Sequence, residues 1–127
     1  MGAPKRILVA EDERDLLELY RAYLVTLGYE VMTATDGGEA VAMAKAGHVD
    51  LAVVDVMLPG LDGYHVALEL SKLQAPRPPR IIIVSCRDMK REGGLAVQSG
   101  ASHVMEKPLH FPTLGAKIAE LLAASPA

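Results

Sequence analysis

Residues 51–63 read LAVVDVMLPGLDG, and this stretch is the strongest indication of the architecture. Four apolar residues run into the carboxylate of Asp55, and the chain then breaks at Pro59-Gly60. A short apolar run bounded by turn residues is typical of a strand buried on both faces of a parallel sheet. Binding sites of open α/β sheets lie at the C-terminal ends of the strands, so Asp55 is predicted at that rim.

Two other apolar runs also end on polar residues. Residues 7–10 lead into an acidic cluster, and residues 81–84 lead into Ser85. Strands and helices are predicted to alternate, with strands at about 6–10, 29–34, 50–55, 80–84 and 102–105. Helices are predicted at about 13–27, between Asp36 and Gly47, at about 63–73 and 88–99, and from near Pro112. This alternation predicts an α/β fold with a parallel sheet covered on both faces.

The bulk composition limits the class of protein. The chain has 127 residues, half of them hydrophobic, which predicts one globular domain over 1–127. No apolar stretch approaches the roughly 18 residues of a membrane span, and the net charge of −3 argues against a nucleic-acid surface. Cys86 is the only cysteine and no long apolar leader opens the chain, so we expect a cytoplasmic protein.

Local patterns predict which helix faces are buried and where two helices begin. Asp36 and Glu39 have capping-box spacing, and Asp62 is expected to cap the third helix. The fourth helix is interrupted by Gly93-Gly94. The first helix carries one apolar stripe, predicted to face the sheet: Leu16, Leu19, Tyr20, Tyr23, Leu24 and Leu27.

The rim residues resemble those of the receiver domain of two-component response regulators. The acidic pair of that family matches Glu11 and Asp12, and its phospho-acceptor matches Asp55 in the pattern D-x-x-L-P-G-x-D-G. Its strand-four hydroxyl matches Ser85, and its strand-five lysine matches Lys107. The resemblance implies a flavodoxin-like, doubly wound sandwich with five parallel strands in the order 2-1-3-4-5 and five helices.

The resemblance also implies a function. Asp55 would accept a phosphoryl group from a sensor histidine kinase or a phosphotransfer protein, and the change would be passed to a downstream effector domain or protein. A phosphorylation-dependent homodimer is compatible with this. The domain would take part in its own phosphorylation and dephosphorylation, so it would be a signalling switch and not a metabolic enzyme. No effector pattern follows residue 127, so this is either a stand-alone receiver or part of a longer protein.

The acidic cluster predicts a magnesium site. Two unit charges 4 Å apart repel by roughly 4 kcal/mol near a protein surface, and Mg²⁺ relieves such repulsion because it prefers oxygen ligands. Glu11, Asp12 and Asp55 are the candidate ligands, and the resemblance adds the backbone carbonyl of Met57. It also implies a cis peptide before Pro108, which follows the family's lysine.

Val104 departs from the family pattern, which often has Tyr or Phe at this position. His103 beside it is expected to point to the other face of the sheet. The conformational change that follows phosphorylation is therefore predicted to involve residues 86–100, and not an aromatic side chain on the fifth strand. Two alternatives are a degenerate receiver that binds partners without phosphorylation and a haloacid-dehalogenase-like phosphatase. The phosphatase class needs a second Asp two residues after the first, where this chain has Met57.

Overall fold

A five-stranded parallel sheet forms the centre of the protein. The computed structural model describes residues 3–73, 78–85 and 100–123. Neighbouring strands follow the order β2-β1-β3-β4-β5, and every pairing is parallel, which confirms the predicted topology. The strands are β1 (Arg6–Ala10), β2 (Glu30–Ala34), β3 (Leu51–Asp55), β4 (Arg80–Ser85) and β5 (His103–Glu106).

Four helices lie in the described part of the chain. They are α1 (Arg14–Thr26), α2 (Gly37–Ala46), α3 (Gly63–Ser71) and α4 (Phe111–Ala123). The last of these is the fifth helix predicted from the sequence. The fourth predicted helix, at 88–99, lies outside the described residues, as does Cys86. No described helix has both the length and the apolar character to cross a membrane.

The sheet separates two hydrophobic cores, because successive side chains of a strand point to opposite faces. Leu8 and Ala10 of β1 belong to the core beneath α2 and α3, which we call the α2/α3 face. Ile7 and Val9 belong to the core beneath α1 and α4, the α1/α4 face. All five residues of β3 are buried, because this central strand is covered on both faces.

The predicted buried stripe of α1 was too wide. Tyr20 and Leu24 are buried as expected, but Leu19 is 56% exposed and Leu27 is 45% exposed. Leu17, which was not on the predicted stripe, is buried. The residues facing the sheet are spaced i, i+3 and i+7, and Leu19 lies about 200° around the helix from Leu17.

The loop after β3 is pressed against the first turns of two helices. A Cβ atom at Gly63 would collide with the carbonyl oxygen of Asp55, and one at Gly37 would collide with the backbone of Leu61. The Asp62 side chain accepts a hydrogen bond from the His65 N–H at 3.0 Å, so the predicted cap of α3 is confirmed. The absence of a side chain at Gly63 therefore lets α3 begin directly beside the end of β3.

Candidate functional site

Strand register places Glu11 beside Asp55. Ala10 of β1 pairs with Val54 of β3, so the next residue of each chain segment stands at the same level of the rim. Glu11 is 2% exposed and Asp55 is 4% exposed. A hydrogen bond joins the two carboxyl groups. The structure thus brings together two of the carboxylates predicted from the sequence.

Lys107 lies against both of these acidic groups. Its Nζ donates to Oδ2 of Asp55 and, at 3.3 Å, to Oε1 of Glu11. Lys107 follows β5, and its backbone N–H donates to the Ser85 carbonyl at 2.9 Å. The lysine side chain is 27% exposed. The ammonium group is therefore held between two buried carboxyl groups while one side of the lysine remains open to the rim.

The other oxygen of Asp55 is held by the loop that follows the strand. The N–H of Met57 donates to Asp55 Oδ1 at 2.7 Å. The intervening residue, Val56, is fixed on both sides: its N–H donates to the Val84 carbonyl, and its carbonyl accepts from the Gly63 N–H, each at 3.0 Å. The backbone around Asp55 therefore orients its carboxylate.

Burial and mutual repulsion change the ionisation of this cluster. Burial raises the pKa of Glu11 from 4.5 to about 7, and the hydrogen bond and charge of Asp55 act in the same direction. Burial also disfavours the ammonium form of Lys107, but its hydrogen bond to Asp55 and the charges of Asp55 and Glu11 outweigh this and raise the pKa of Lys107. Two buried carboxyl groups therefore share one lysine, and burial disfavours the ionised form of Glu11.

The remaining predicted magnesium ligands are Asp12 and the carbonyl of Met57. Asp12 is exposed and lies next to Glu11, at the end of β1. Within 3–73, 78–85 and 100–123, no group of three or more acidic, histidine or cysteine side chains already surrounds a point where a metal ion could bind. The donor chemistry nevertheless fits Mg²⁺, because the rim offers the carboxyl oxygens of Glu11 and Asp55 side by side.

Ser85 ends β4 and is 3% exposed. Asp55 pairs with Val84, so Ser85 stands one position further along the rim. By strand alternation it continues the side of Ile83, which belongs to the α2/α3 face. Asp55 instead lies on the side of Val53, which belongs to the α1/α4 face, and the Lys107 ammonium contacts Asp55 there. The hydroxyl and the lysine therefore approach the rim from opposite sides of the sheet.

Two expectations about the chain around β5 are also met. The peptide bond between Lys107 and Pro108 is cis, as the resemblance implied. Val104 packs against the core of the α2/α3 face. Burial lowers the pKa of His103, and the nearby Lys117 of α4 lowers it further, which agrees with a side chain on the opposite face from Val104.

The contact between two aromatic rings beside the site was not predicted from the sequence. The rings of Tyr20 and Phe111 meet edge to face, with centroids 5.5 Å apart and an interplanar angle of 77°. Burial raises the pKa of the Tyr20 hydroxyl, and the charges of Glu11 and Asp55 raise it further. The residues are far apart in sequence, so no local pattern indicates their contact. A hydroxyl-bearing ring on the apolar stripe of α1 was the only available signal.

Comparison with known proteins identifies the family. The family model described as the response regulator receiver domain matches residues 7–119. This chain belongs to the response regulator receiver family. The conclusion rests on nearly the whole length of the domain and agrees with the strand order and the acidic rim described above.

Curated relatives of this receiver domain are longer proteins. The alkaline phosphatase synthesis transcriptional regulatory protein PhoP of Bacillus subtilis is 36% identical over 121 residues, which cover 95% of this chain and 50% of that protein. The response regulator PleD of Caulobacter vibrioides is 34% identical over 116 residues, covering 91% of this chain and 26% of PleD. The chain thus spans half or less of the length of these two relatives.

Solved receiver structures share the fold. A CheY-like receiver domain protein from Methanospirillum hungatei superimposes with a TM-score of 0.86 at 28% identity, covering 94% of each chain. The response regulator protein TrrA from Thermotoga maritima, solved in complex with Mg²⁺ and BeF, gives a TM-score of 0.81 at 32% identity and covers 92% of this chain and 98% of TrrA. Binding of Mg²⁺ is therefore seen in the family.

Proposed function

We propose that this chain is a phosphorylation-dependent switch whose phospho-acceptor is Asp55, and that residues 1–127 form one receiver domain. The observation that carries the proposal is the contact of the Lys107 ammonium with a buried Asp55 that lies beside Glu11. A buried carboxylate oriented by the backbone N–H of Met57 and paired with a lysine is well placed to act as a nucleophile whose developing charges are neutralised.

The transfer step follows from this arrangement. An oxygen of Asp55 attacks the phosphorus of a phosphohistidine, so a P–O bond forms as the P–N bond breaks. The electron pair of the broken bond stays on the imidazole nitrogen of the donor. Lys107 neutralises charge on the equatorial phosphoryl oxygens, and the Ser85 hydroxyl donates a hydrogen bond to one of them. The product is an acyl phosphate on Asp55.

Magnesium is the cofactor that best fits the donor set. We assign Glu11, Asp12, Asp55 and the backbone carbonyl of Met57 as the residues that would hold it, with Glu11 acting directly or through water. When bound, Mg²⁺ supplies charge neutralisation for the carboxylates and for the transferring phosphoryl group. The two buried carboxyl groups that stand side by side support this assignment, because a cation would stabilise their ionised forms.

The partners follow from the same chemistry. The donor is a sensor histidine kinase or a phosphotransfer protein, and the output is a downstream effector domain or protein. The relatives described as transcriptional regulatory proteins support an output in gene regulation. We place the switch in the cytoplasm, assign this domain no direct contact with nucleic acid or membrane, and include a phosphorylation-dependent homodimer among its forms.

Phosphorylation by a small donor tests the acceptor. The protein is incubated with acetyl phosphate and Mg²⁺, and intact mass is measured before and after mild base, which cleaves an acyl phosphate. We expect one phosphate on the wild-type chain and none on Asp55→Asn. Asp62→Asn is the matched control, because Asp62 lies in the same loop but only caps α3, and Asn is an equally good cap. Stoichiometric phosphate on Asp55→Asn would refute the assignment. No phosphate on the wild-type chain would favour a binding module that works without phosphorylation.

A further inference from the structure

The segment 107–111 joins the site lysine to the start of α4. At its beginning, the Lys107 N–H donates to the Ser85 carbonyl at 2.9 Å. At its end, the ring of Phe111 packs against the core of the α1/α4 face. The reach of the Lys107 ammonium toward Asp55 therefore depends on a short turn that is anchored at both ends.

The second anchor is made by α1. Phe111 contacts the ring of Tyr20 edge to face at 5.5 Å and stacks on the ring of Tyr23 at 5.4 Å. Tyr20 is 1% exposed, whereas Tyr23 is only partly buried. An aromatic pair of this geometry is stabilising beyond the area it buries. Tyr20 is thus the fully buried member of the cluster that holds Phe111.

The acidic groups also influence the hydroxyl of Tyr20. The two charges that act on its hydroxyl are those of Glu11 and Asp55. These residues continue the α1/α4 face, the same face on which Tyr20 packs. One buried ring therefore connects the anchor of the lysine turn with the surroundings of the two carboxyl groups that the lysine contacts.

We propose that Tyr20 is a positioning residue for Lys107: its ring holds Phe111, fixes the turn 107–111 and so keeps the lysine ammonium against Asp55. The effect on phosphoryl transfer rests on the function proposed above, whereas the effect on lysine placement does not. The ring, and not the hydroxyl, makes the contact with Phe111, so Tyr20→Phe should preserve it and Tyr20→Leu should remove it.

Lysine placement can be measured without phosphorylation. The protein is labelled with a trace of acetic anhydride, and acetylation of Lys107 is quantified by mass spectrometry relative to Lys72, whose side chain is 62% exposed. We expect Tyr20→Leu to raise the relative labelling of Lys107 by about fivefold, because the turn opens more often. Tyr20→Phe should label like the wild type.

Two further variants separate positioning from general destabilisation. Phe111→Leu removes the other ring of the pair and should raise Lys107 labelling as Tyr20→Leu does, and it replaces that variant if Tyr20→Leu does not fold. Leu24→Ala creates a cavity in the same core, one turn along α1, and should leave Lys107 labelling unchanged. Equal labelling of Lys107 in the wild type and in the folded ring variant, or an equal rise in Leu24→Ala, would overturn the proposal.

The consequence for transfer is tested by a double-mutant cycle. With acetyl phosphate at saturating Mg²⁺, Tyr20→Leu should slow phosphorylation of Asp55 by about fivefold to tenfold. This is less than the roughly hundredfold loss that a misplacement of about 1 Å can cause, because the turn opens only part of the time. In a Lys107→Ala background the same substitution should have no further effect. A similar loss in both backgrounds would overturn the positioning role. No phosphate on the wild type would count against the function proposed above, and the labelling result would still decide whether Tyr20 positions Lys107.

Discussion

The buried carboxyl group of Glu11 should make the metal-free protein less stable as the pH rises. The pKa of Glu11 is about 7 in the folded protein, compared with 4.5 for a glutamate that is neither buried nor near other charged groups. Between these values the folded state binds more protons than the unfolded state, so the free energy of unfolding falls with increasing pH. One pKa unit corresponds to about 1.4 kcal/mol, and the whole difference therefore corresponds to about 3 kcal/mol between pH 4 and pH 8.

The substitution that isolates this effect is Glu11→Gln. A glutamine amide can keep the hydrogen bond to Asp55 but cannot ionise, so it resembles the protonated glutamate. Urea unfolding in EDTA should show the variant and the wild type with similar stability at pH 5. At pH 8 the variant should be more stable by about 2 to 3 kcal/mol. Taking the difference between the two proteins cancels the contribution of His103, whose lowered pKa makes stability rise with pH.

Glu13→Gln is the matched control, because Glu13 is an exposed glutamate two residues further along the chain. Its stability difference from the wild type should be the same at pH 5 and pH 8. A difference between wild type and Glu11→Gln that stays constant over this range would refute the conclusion that burial and the neighbouring Asp55 disfavour the ionised form of Glu11. Millimolar Mg²⁺ should reduce the pH dependence of the wild type, since it stabilises the ionised carboxylate.

Three further predictions concern the metal, the loop and the switch. Asp12→Ala should weaken Mg²⁺ binding, measured by titration calorimetry, and raise metal-free stability slightly because it removes one of several neighbouring negative charges; unchanged affinity would exclude Asp12 as a ligand. Gly63→Ala should lower the unfolding free energy by about 2 kcal/mol or more, since the new methyl group meets the backbone of Asp55; a urea midpoint equal to that of the wild type would contradict this. Beryllium trifluoride with Mg²⁺ should change amide hydrogen exchange mainly in residues 86–100, and a change confined to β5 would contradict the route predicted from Val104.

The strands and the rim could be predicted from sequence because their signals are local. Each apolar run ends at a polar residue, and parallel strands bring those ends to one edge. The predicted starts and ends of β1, β3 and β4 therefore agree with the structure to within about one residue. The family resemblance added the identity of Lys107, which by itself reads as an ordinary surface lysine.

The predictions from sequence were wrong or incomplete where burial and contacts depend on packing between distant parts of the chain. Leu17 and Leu19 are both leucines on one helix, and only the position of the sheet determines that Leu17 is buried. The hydrogen bond between Glu11 and Asp55 and the contact of Tyr20 with Phe111 depend on register and on the docking of α1 against α4. Both contacts are determined by the tertiary structure, so they cannot be predicted from the residue types alone.

The opposite orientations of Ser85 and Lys107 have a consequence for signalling. Among the described residues, the sheet separates the core beneath α2 and α3 from the core beneath α1 and α4. With the roles proposed here, a phosphoryl group on Asp55 would contact Ser85 on the α2/α3 face and Lys107 on the α1/α4 face. Phosphorylation of Asp55 would then change contacts on both faces of the sheet at once. Two different partners, one on each broad face of the domain, could detect the same phosphate.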